Sequence, residues 1–266
     1  MPADLTPLLD DLAAETADLD AILAPLTDEQ WRLATPAQGW SIADQVSHLA
    51  HFDEAALLAA TDPDRFRREA AELVKGGFDF PDRVAAAHRH REGSDLLAWF
   101  RTARHDMLTG FAEVDPEVRL PWYGPDMAPA SSLTARLMET WAHGQDVVDA
   151  LGVQRPATPR LKHIAHLGTR TFGFVFGLHG RPVPETPVRV ELDAPDGSTW
   201  QWGPDDAVDR VTGPALDFCL LVTQRRHRVD LALTAVGETA TEWLTIAQAF
   251  AGAPGPGRPP LRDTAS

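Results

Sequence analysis

Apolar residues recur at helical spacing through most of the first half of the chain. Leucines stand three or four positions apart in the first segment, and alanine and leucine dominate those that follow, a composition that favours helix over strand. Loops rich in proline and glycine separate the segments. The pattern predicts four main helices, over residues 4–24, 42–60, 82–111 with a break near Gly93, and from a serine cap at Ser131 or Ser132 to 151.

The sequence marks the start of the second helix and the end of the fourth helix with typical capping residues. Ser41 is a good N-cap for the second helix, with Asp44 at the third helical position. Gly152 follows the last apolar residue of the fourth helix and is expected to end it. The polar stretch Asp64–Lys75 fits either a continuation of the second helix or a separate one.

The pattern changes after Pro156. The runs Val188–Leu192 and Thr199–Trp202 are typical of strands, and Asp196-Gly197 between them predicts a hairpin turn. The remaining predicted elements are helices over residues 158–180, 214–224 and 239–250 and a strand over 229–235. The fold class is therefore α plus α+β: a four-helix bundle over residues 1–154, a small α+β domain over 155–252 and a disordered, Pro- and Gly-rich tail over 253–266.

Composition narrows the class of protein. The 39 acidic residues outnumber the 24 basic ones, and the net charge of −15 argues against binding to nucleic acid or to an anionic membrane. Cys219 is the single cysteine, so no intrachain disulfide can form. The first twenty residues lack the basic and apolar regions of a signal peptide, and no apolar run is long enough to span a bilayer. We expect a soluble cytoplasmic protein.

The second helix offers two histidines, and a helical wheel separates them. His48 lies at the margin of the apolar stripe, next to Phe52, whereas His51 lies almost opposite the stripe. The wheel therefore favours His48 as the inward residue. Taken alone, such a histidine is more often a hydrogen-bonded core residue than a metal ligand.

Glu139, His143 and Asp146 follow one margin of the apolar stripe of the fourth helix. Glu139 and His143 are four residues apart, so their side chains stack on one face and can either chelate one ion or form an ion pair. Asp146 is a fourth ligand, a group that orients His143, or a solvated acid.

The two helices together favour a metal. Bundle cores are where facing helices build such sites, and two imidazoles with one carboxylate are a standard set for Zn²⁺ with one open position. His48, Glu139 and His143 are thus the candidate ligands, and the same set also suits Ni²⁺ or Fe²⁺.

Two segments resemble a known family. TPAQGWSIADQVSHLA, residues 35–50, resembles the second-helix signature of the DinB-like superfamily, and within it that of the mycothiol-dependent maleylpyruvate isomerase N-terminal metal-binding family. METWAHGQDV, residues 138–147, resembles the fourth-helix signature of that family, Glu-x-x-x-His. The resemblance covers about residues 5–152 and implies a DinB-like bundle in which His48, Glu139 and His143 bind zinc. Residues 210–227 and 242–250 resemble the wyosine-base-formation-like C-terminal region of an uncharacterised actinobacterial branch.

The resemblance implies a metal-dependent enzyme of the isomerase and thiol-transferase type, acting on a small electrophilic metabolite with mycothiol as the thiol cosubstrate. Cys219 falls in a predicted buried helix, so a thiol nucleophile would come from that cosubstrate. Two other classes stay open: an enzyme that uses the metal as a Lewis acid for hydrolysis, elimination or cyclisation, and a non-catalytic metal-binding stress or regulatory protein. A homodimer is the expected assembly if an exposed bundle face pairs.

Three further residues are candidates for the substrate pocket. Arg226 lies in a basic cluster after the 214–224 helix and could bind a carboxylate, although a cation at a helix C-terminus is the commoner reason for such a residue. Trp122 and Tyr123 lie in the loop before the fourth helix and could line the pocket, with ordinary packing as the alternative.

Overall fold

The structure, a computed structural model, describes residues 4–77, 79–255 and 257–261. The chain divides into two compact units between Arg155 and Pro156. The helices of the first unit are α1 (Thr6–Leu23), α2 (Asp28–Trp31), α3 (Ile42–Thr61), α4 (Pro63–Val74), α5 (Phe80–Ala87), α6 (Gly93–Ala112) and α7 (Pro129–Leu151).

Four long helices, α1, α3, α6 and α7, form the bundle of the first unit. Their apolar stripes meet in a shared core, since burying such stripes supplies most of the stability of a helical bundle. The core of the bundle is built from residues that include Leu19, Leu23, Ile42, Val46, Leu49, Phe100 and Val147.

The ends of the two helices that carry the candidate ligands follow local rules. At the start of α3, Ser41 accepts a hydrogen bond from the backbone of Asp44, and the Asp44 carboxylate accepts one from the backbone of Ser41, a complete capping box. At the end of α7, Gly152 adopts a left-handed conformation with φ of 66°. Both boundaries agree with the sequence prediction.

The second unit contains helices packed against a small mixed sheet. Its helices are α8 (Leu161–Arg170), α9 (Phe172–Leu178), α10 (Ala215–Val222) and α11 (Glu238–Ile246), with a 3₁₀ turn at Arg228–Asp230. Its strands are β1 (Val188–Asp193), β2 (Thr199–Trp202), β3 (Asp209–Pro214) and β4 (Thr234–Val236), in the order β2-β1-β3-β4. β1 pairs antiparallel with β2 through the predicted Asp196-Gly197 turn and parallel with β3, and β3 pairs antiparallel with β4.

The predicted fold class, a helical bundle followed by a small α+β unit, is confirmed. Some elements differ from the prediction. The helix expected over 82–111 is two helices, α5 and α6, and the one expected over 158–180 is α8 and α9. α7 begins at Pro129 after Ala128, so neither Ser131 nor Ser132 is its cap. The strand β3 was not predicted, and of the segment 229–235 only the last two residues lie in a strand.

In the part of the chain that the structure describes, every helix is too short or too polar to cross a membrane. The tail predicted to be disordered, residues 253–266, falls partly outside the described residues.

Candidate metal centre

The side chains of His48, Glu139 and His143 meet between α3 and α7. One donor atom from each lies within 4.8 Å of the other two. Oε2 of Glu139 is 2.9 Å from Nε2 of His143 and 3.5 Å from Nε2 of His48. Both imidazoles are buried, while 25% of the Glu139 side chain stays exposed. The centre is therefore largely enclosed, with its accessible side at the carboxylate.

Helix geometry explains the convergence. Glu139 and His143 are one turn apart on α7 and share a face. α3 runs antiparallel to α7. Gln45, near the start of α3, contacts His143 of α7, whereas Asp53, two turns further along α3, lies near Arg136, which is two turns before His143 on α7. His48 on α3 is thereby placed opposite Glu139.

The spacing of these atoms fits a divalent ion. Ligand atoms about 2.1 Å from a tetrahedral zinc ion lie about 3.4 Å from each other. The two measured separations, 2.9 and 3.5 Å, lie on either side of that value. Two imidazole nitrogens and one carboxylate oxygen also form a donor set that Zn²⁺, Ni²⁺ and Fe²⁺ accept.

A chain of hydrogen bonds fixes the tautomer of His143. The Thr35 hydroxyl donates to the carbonyl of Trp40 over 2.9 Å, so its oxygen accepts from Nε2 of Gln45 at 2.8 Å. The amide oxygen of Gln45 therefore faces Nδ1 of His143 and accepts from it. With the proton on Nδ1, Nε2 of His143 carries the lone pair that a metal requires.

Electrostatics keep the carboxylate ionised. Burial raises the pKa of Glu139, but His143 and His48, when both nitrogens of each ring carry a proton, donate hydrogen bonds to it and add positive charge, which outweighs burial and holds this pKa well below its ordinary value. Glu139 is thus an anion at neutral pH, as a metal ligand must be.

Aromatic rings surround the two imidazoles. The indole of Trp40 is stacked on His143, with centroids 5.8 Å apart and an interplanar angle of 14°. The ring of Phe52 lies 4.5 Å from that of His48, centroid to centroid. These rings restrict how the imidazoles can rotate.

Trp122 and Tyr123, the two predicted pocket residues, pack in an aromatic cluster that reaches the centre through Phe52. We call Phe52, Phe66, Phe80, Trp122 and Tyr123 the aromatic cluster. Tyr123 lies 5.5 Å from Phe52 and 5.0 Å from Phe80, centroid to centroid. Burial raises the pKa of Tyr123 to about 12, so its phenol stays protonated at neutral pH.

The other predicted residues lie elsewhere. Asp146 is fully buried on α7, but the group of donor atoms found among the described residues does not include it. Arg226 belongs to the second unit, where its Nη1 donates to the carbonyl of Arg225. Cys219 is buried in α10, and burial raises the pKa of its thiol, which makes it a poor nucleophile.

His51 is less exposed than the wheel predicted. It is half-buried, and its Nε2 is buried without a hydrogen-bond partner among the described residues. Sequence reasoning also missed Gln45, whose position three residues before His48 puts it on the same face of α3. That spacing could have indicated that Gln45 faces the same site as His48.

Comparison with known proteins identifies family models and relatives that resemble this chain. Residues 12–148 match the family model for the mycothiol maleylpyruvate isomerase N-terminal domain, and residues 184–235 match one described as wyosine base formation. An uncharacterised protein of Mycobacterium tuberculosis strain H37Rv is 49% identical over 256 residues, which are 96% of this chain and 100% of that protein. The protein of the same description from strain CDC 1551 matches equally.

Two solved structures share the fold. The crystal structure of the mycothiol-dependent maleylpyruvate isomerase aligns with a TM-score of 0.61 and 14% sequence identity, covering 88% of this chain and 93% of that one. A histidine-to-alanine variant of the same enzyme aligns with a TM-score of 0.60 and the same identity and coverage.

Proposed function

The chain belongs to the family of the mycothiol maleylpyruvate isomerase N-terminal domain, and on that basis we propose that it is a divalent-metal-dependent enzyme of the isomerase or thiol-transferase type. Its substrate is a small electrophilic metabolite, and mycothiol is the thiol cosubstrate. The solved structure of similar fold is that of the mycothiol-dependent maleylpyruvate isomerase.

One observation carries the proposal: the donor atoms of His48, Glu139 and His143 gather within 4.8 Å of one another in the bundle. These three side chains would hold the ion, and Zn²⁺ is the ion that two imidazoles and a carboxylate suit best. A divalent ion bound there supplies a Lewis acid that lowers the pKa of a thiol or water at its open position.

The residues of the chain have distinct tasks around that ion. Gln45 holds the proton of His143 on Nδ1, away from the centre. Trp40 and Phe52 exclude water from the two imidazoles by packing against them. The partial exposure of Glu139 leaves one side of the centre open to ligands.

The nucleophile must come from outside the protein if it is a thiol. Cys219 is the single cysteine, and it is buried in the second unit, in a different compact unit from His48, Glu139 and His143. A cosubstrate thiol is consistent with the family and requires no protein thiolate.

Metal analysis tests the first part of the proposal. Wild-type protein purified from metal-replete medium is expected to carry about one divalent ion per chain, and His48→Ala to carry much less. His51→Ala is the matched control, since it removes a histidine one turn away on the same helix. A wild-type protein that carries no metal and takes up none contradicts the site.

Thiol consumption tests the second part. The metal-loaded protein is incubated with mycothiol and maleylpyruvate, and then with a panel of small electrophiles, while the free thiol and the isomerised product are measured. Metal-dependent turnover that His48→Ala abolishes supports the proposal. Turnover without thiol would favour Lewis-acid chemistry, and metal binding without any turnover would favour a non-catalytic role.

A further inference from the structure

Arg136 lies on α7, one turn before the candidate ligand Glu139, and only 3% of it is exposed. The central carbon of its guanidinium group is 5.9 Å from the centroid of the Phe52 ring. The same ring lies 4.5 Å from the ring of His48. Arg136 and the candidate ligand His48 therefore both lie beside the ring of Phe52.

The carboxylate beside Arg136 is already engaged by another arginine. Asp53 is the acid that faces Arg136, and both carboxylate oxygens of Asp53 already accept hydrogen bonds from Arg104, at 2.9 and 3.1 Å. Nε of Arg136 is 3.9 Å from Oδ1 of Asp53, which is too far for a hydrogen bond. Two buried guanidinium groups thus lie beside one carboxylate, and the hydrogen bonds of that carboxylate go to Arg104.

One donor nitrogen of Arg136 is also left unsatisfied. Its Nη1 is buried and makes no hydrogen bond with any residue that the structure describes. An unmade hydrogen bond at a buried charged group is strongly destabilising, so an unsatisfied donor of this kind points to a functional role or to a bound water, ion or ligand. The nearby Glu69 carboxylate does not fill this role, since it is exposed and pairs with Arg65 at 2.7 Å.

We propose that Arg136 binds a carboxylate group of the substrate, next to the candidate metal centre and against the aromatic cluster. A guanidinium group presents two parallel donors that match the two oxygens of a carboxylate. The aromatic cluster offers apolar walls to a flat, unsaturated body attached to that carboxylate. This inference rests on the proposed function, because it names the substrate class of the same site.

Benzoate and benzamide are suitable probes, because they have nearly the same shape but only benzoate is charged. Each is titrated into the full-length zinc-loaded protein by calorimetry, and again into protein treated with EDTA. The wild type is expected to bind benzoate at least about ten-fold more tightly than benzamide, since only the carboxylate can engage Arg136. The preference should persist without the metal.

Three variants assign the preference to this residue. Arg136→Met is expected to lower the affinity for benzoate at least about ten-fold and to leave that for benzamide unchanged. Arg136→Lys, which keeps the charge but loses the two-pronged geometry, is expected to be intermediate. Arg67→Met, which removes an exposed arginine with surface partners, is the control and should match the wild type.

Circular dichroism checks that each variant is folded; if Arg136→Met does not fold, Arg136→Lys carries the comparison. Equal binding of benzoate by the wild type and the Arg136 variants, or no preference for benzoate over benzamide, overturns the inference. Loss of the preference in EDTA-treated protein assigns the carboxylate to the metal and also overturns it. A protein that binds no metal yet keeps an Arg136-dependent preference contradicts the proposed function alone.

Discussion

The amide oxygen of Gln45 accepts a hydrogen bond from Nδ1 of His143 across the interface between α3 and α7. The direction of this bond is set by Thr35, which accepts from the other end of the same amide at 2.8 Å. A residue outside the ligand set thus decides which nitrogen of His143 faces Glu139. Such outer contacts raise the basicity of a ligating imidazole and hold its ring in place.

Replacement of Gln45 by leucine is therefore expected to weaken metal binding by about 10–100-fold while the protein stays folded. Leucine has a similar volume but cannot accept the proton of Nδ1, so His143 is free to adopt the other tautomer. Competition for Zn²⁺ against a chromogenic chelator measures the affinity, and circular dichroism checks the fold.

Two variants control this prediction. Gln45→Glu keeps an acceptor oxygen and should retain most of the affinity. Gln145→Leu removes a glutamine two residues from His143 whose amide donates to Asp149 instead, and it should bind metal as the wild type does. Wild-type affinity in Gln45→Leu would show that the tautomer does not depend on this contact.

Removal of the metal is expected to lower the thermal stability of the first unit. An ion that binds the folded chain and not the unfolded one adds stability, about 2.7 kcal/mol at a hundred times the dissociation constant. Differential scanning calorimetry should show a melting temperature that rises with Zn²⁺ concentration in the wild type and falls after EDTA treatment.

The same titration with His48→Ala should give little or no shift, because one of the three candidate donors is gone. His51→Ala should shift as the wild type does. If Zn²⁺ stabilises His48→Ala as much as the wild type, the ion binds elsewhere on the chain.

The three candidate ligands could be predicted from residue spacing and from family resemblance, because each pattern is contained within a single helix. The wheel of α3 separated His48 from His51, and the i, i+4 pair on α7 joined Glu139 to His143. Contacts between helices could not be predicted in this way. The bond from Gln45 to His143 and the approach of Arg136 to Phe52 depend on the register of α3 against α7, which a single sequence does not state.

In the sheet, too, the local element could be predicted from the sequence and the non-local pairing could not. The β1–β2 hairpin is local, and its Asp-Gly turn made it predictable. β3 is a parallel partner of β1 from beyond the hairpin, and its sequence DRVTGP has little apolar alternation. Its stability comes from neighbours on both sides, so no local pattern marks it as a strand.

The buried pair of Asp53 and Arg104 gives a prediction about stability. Asp53→Ala is expected to destabilise the protein by about 3–5 kcal/mol, because it removes the carboxylate that pairs with the buried Arg104 and lies 3.9 Å from the buried Arg136. Chemical denaturation followed by circular dichroism measures the loss.

Asp20→Ala is the matched control, since it frees Arg101, which is half exposed and pairs with Asp20 on the surface. The loss there should be about 1 kcal/mol or less. If Asp53→Ala loses no more stability than Asp20→Ala, water or a rearranged side chain takes the place of the Asp53 carboxylate beside Arg104 and Arg136.

His51 gives the fourth prediction, which concerns pH. Burial lowers its pKa to about 4, assisted by the positive charges of His48, His88 and Arg136 and opposed by Glu69. Between about pH 6.5 and 4 the unfolded chain binds a proton at this position that the folded chain does not bind. The contribution of His51 to the free energy of unfolding is therefore constant above pH 6.5 and falls by roughly 2–3 kcal/mol as the pH decreases to 4.

His51→Gln should remove this part of the acid sensitivity, since glutamine does not titrate. The comparison uses EDTA-treated protein, so that pH-dependent loss of the metal does not contribute, and measures unfolding in urea at pH 7 and pH 4.5. The stability difference between the two pH values should be smaller in the variant than in the wild type. His90→Gln, a change at an exposed histidine in the turn between α5 and α6, is the control and should keep the wild-type difference. If both variants behave as the wild type, His51 accepts a proton in the folded protein as readily as in the unfolded chain.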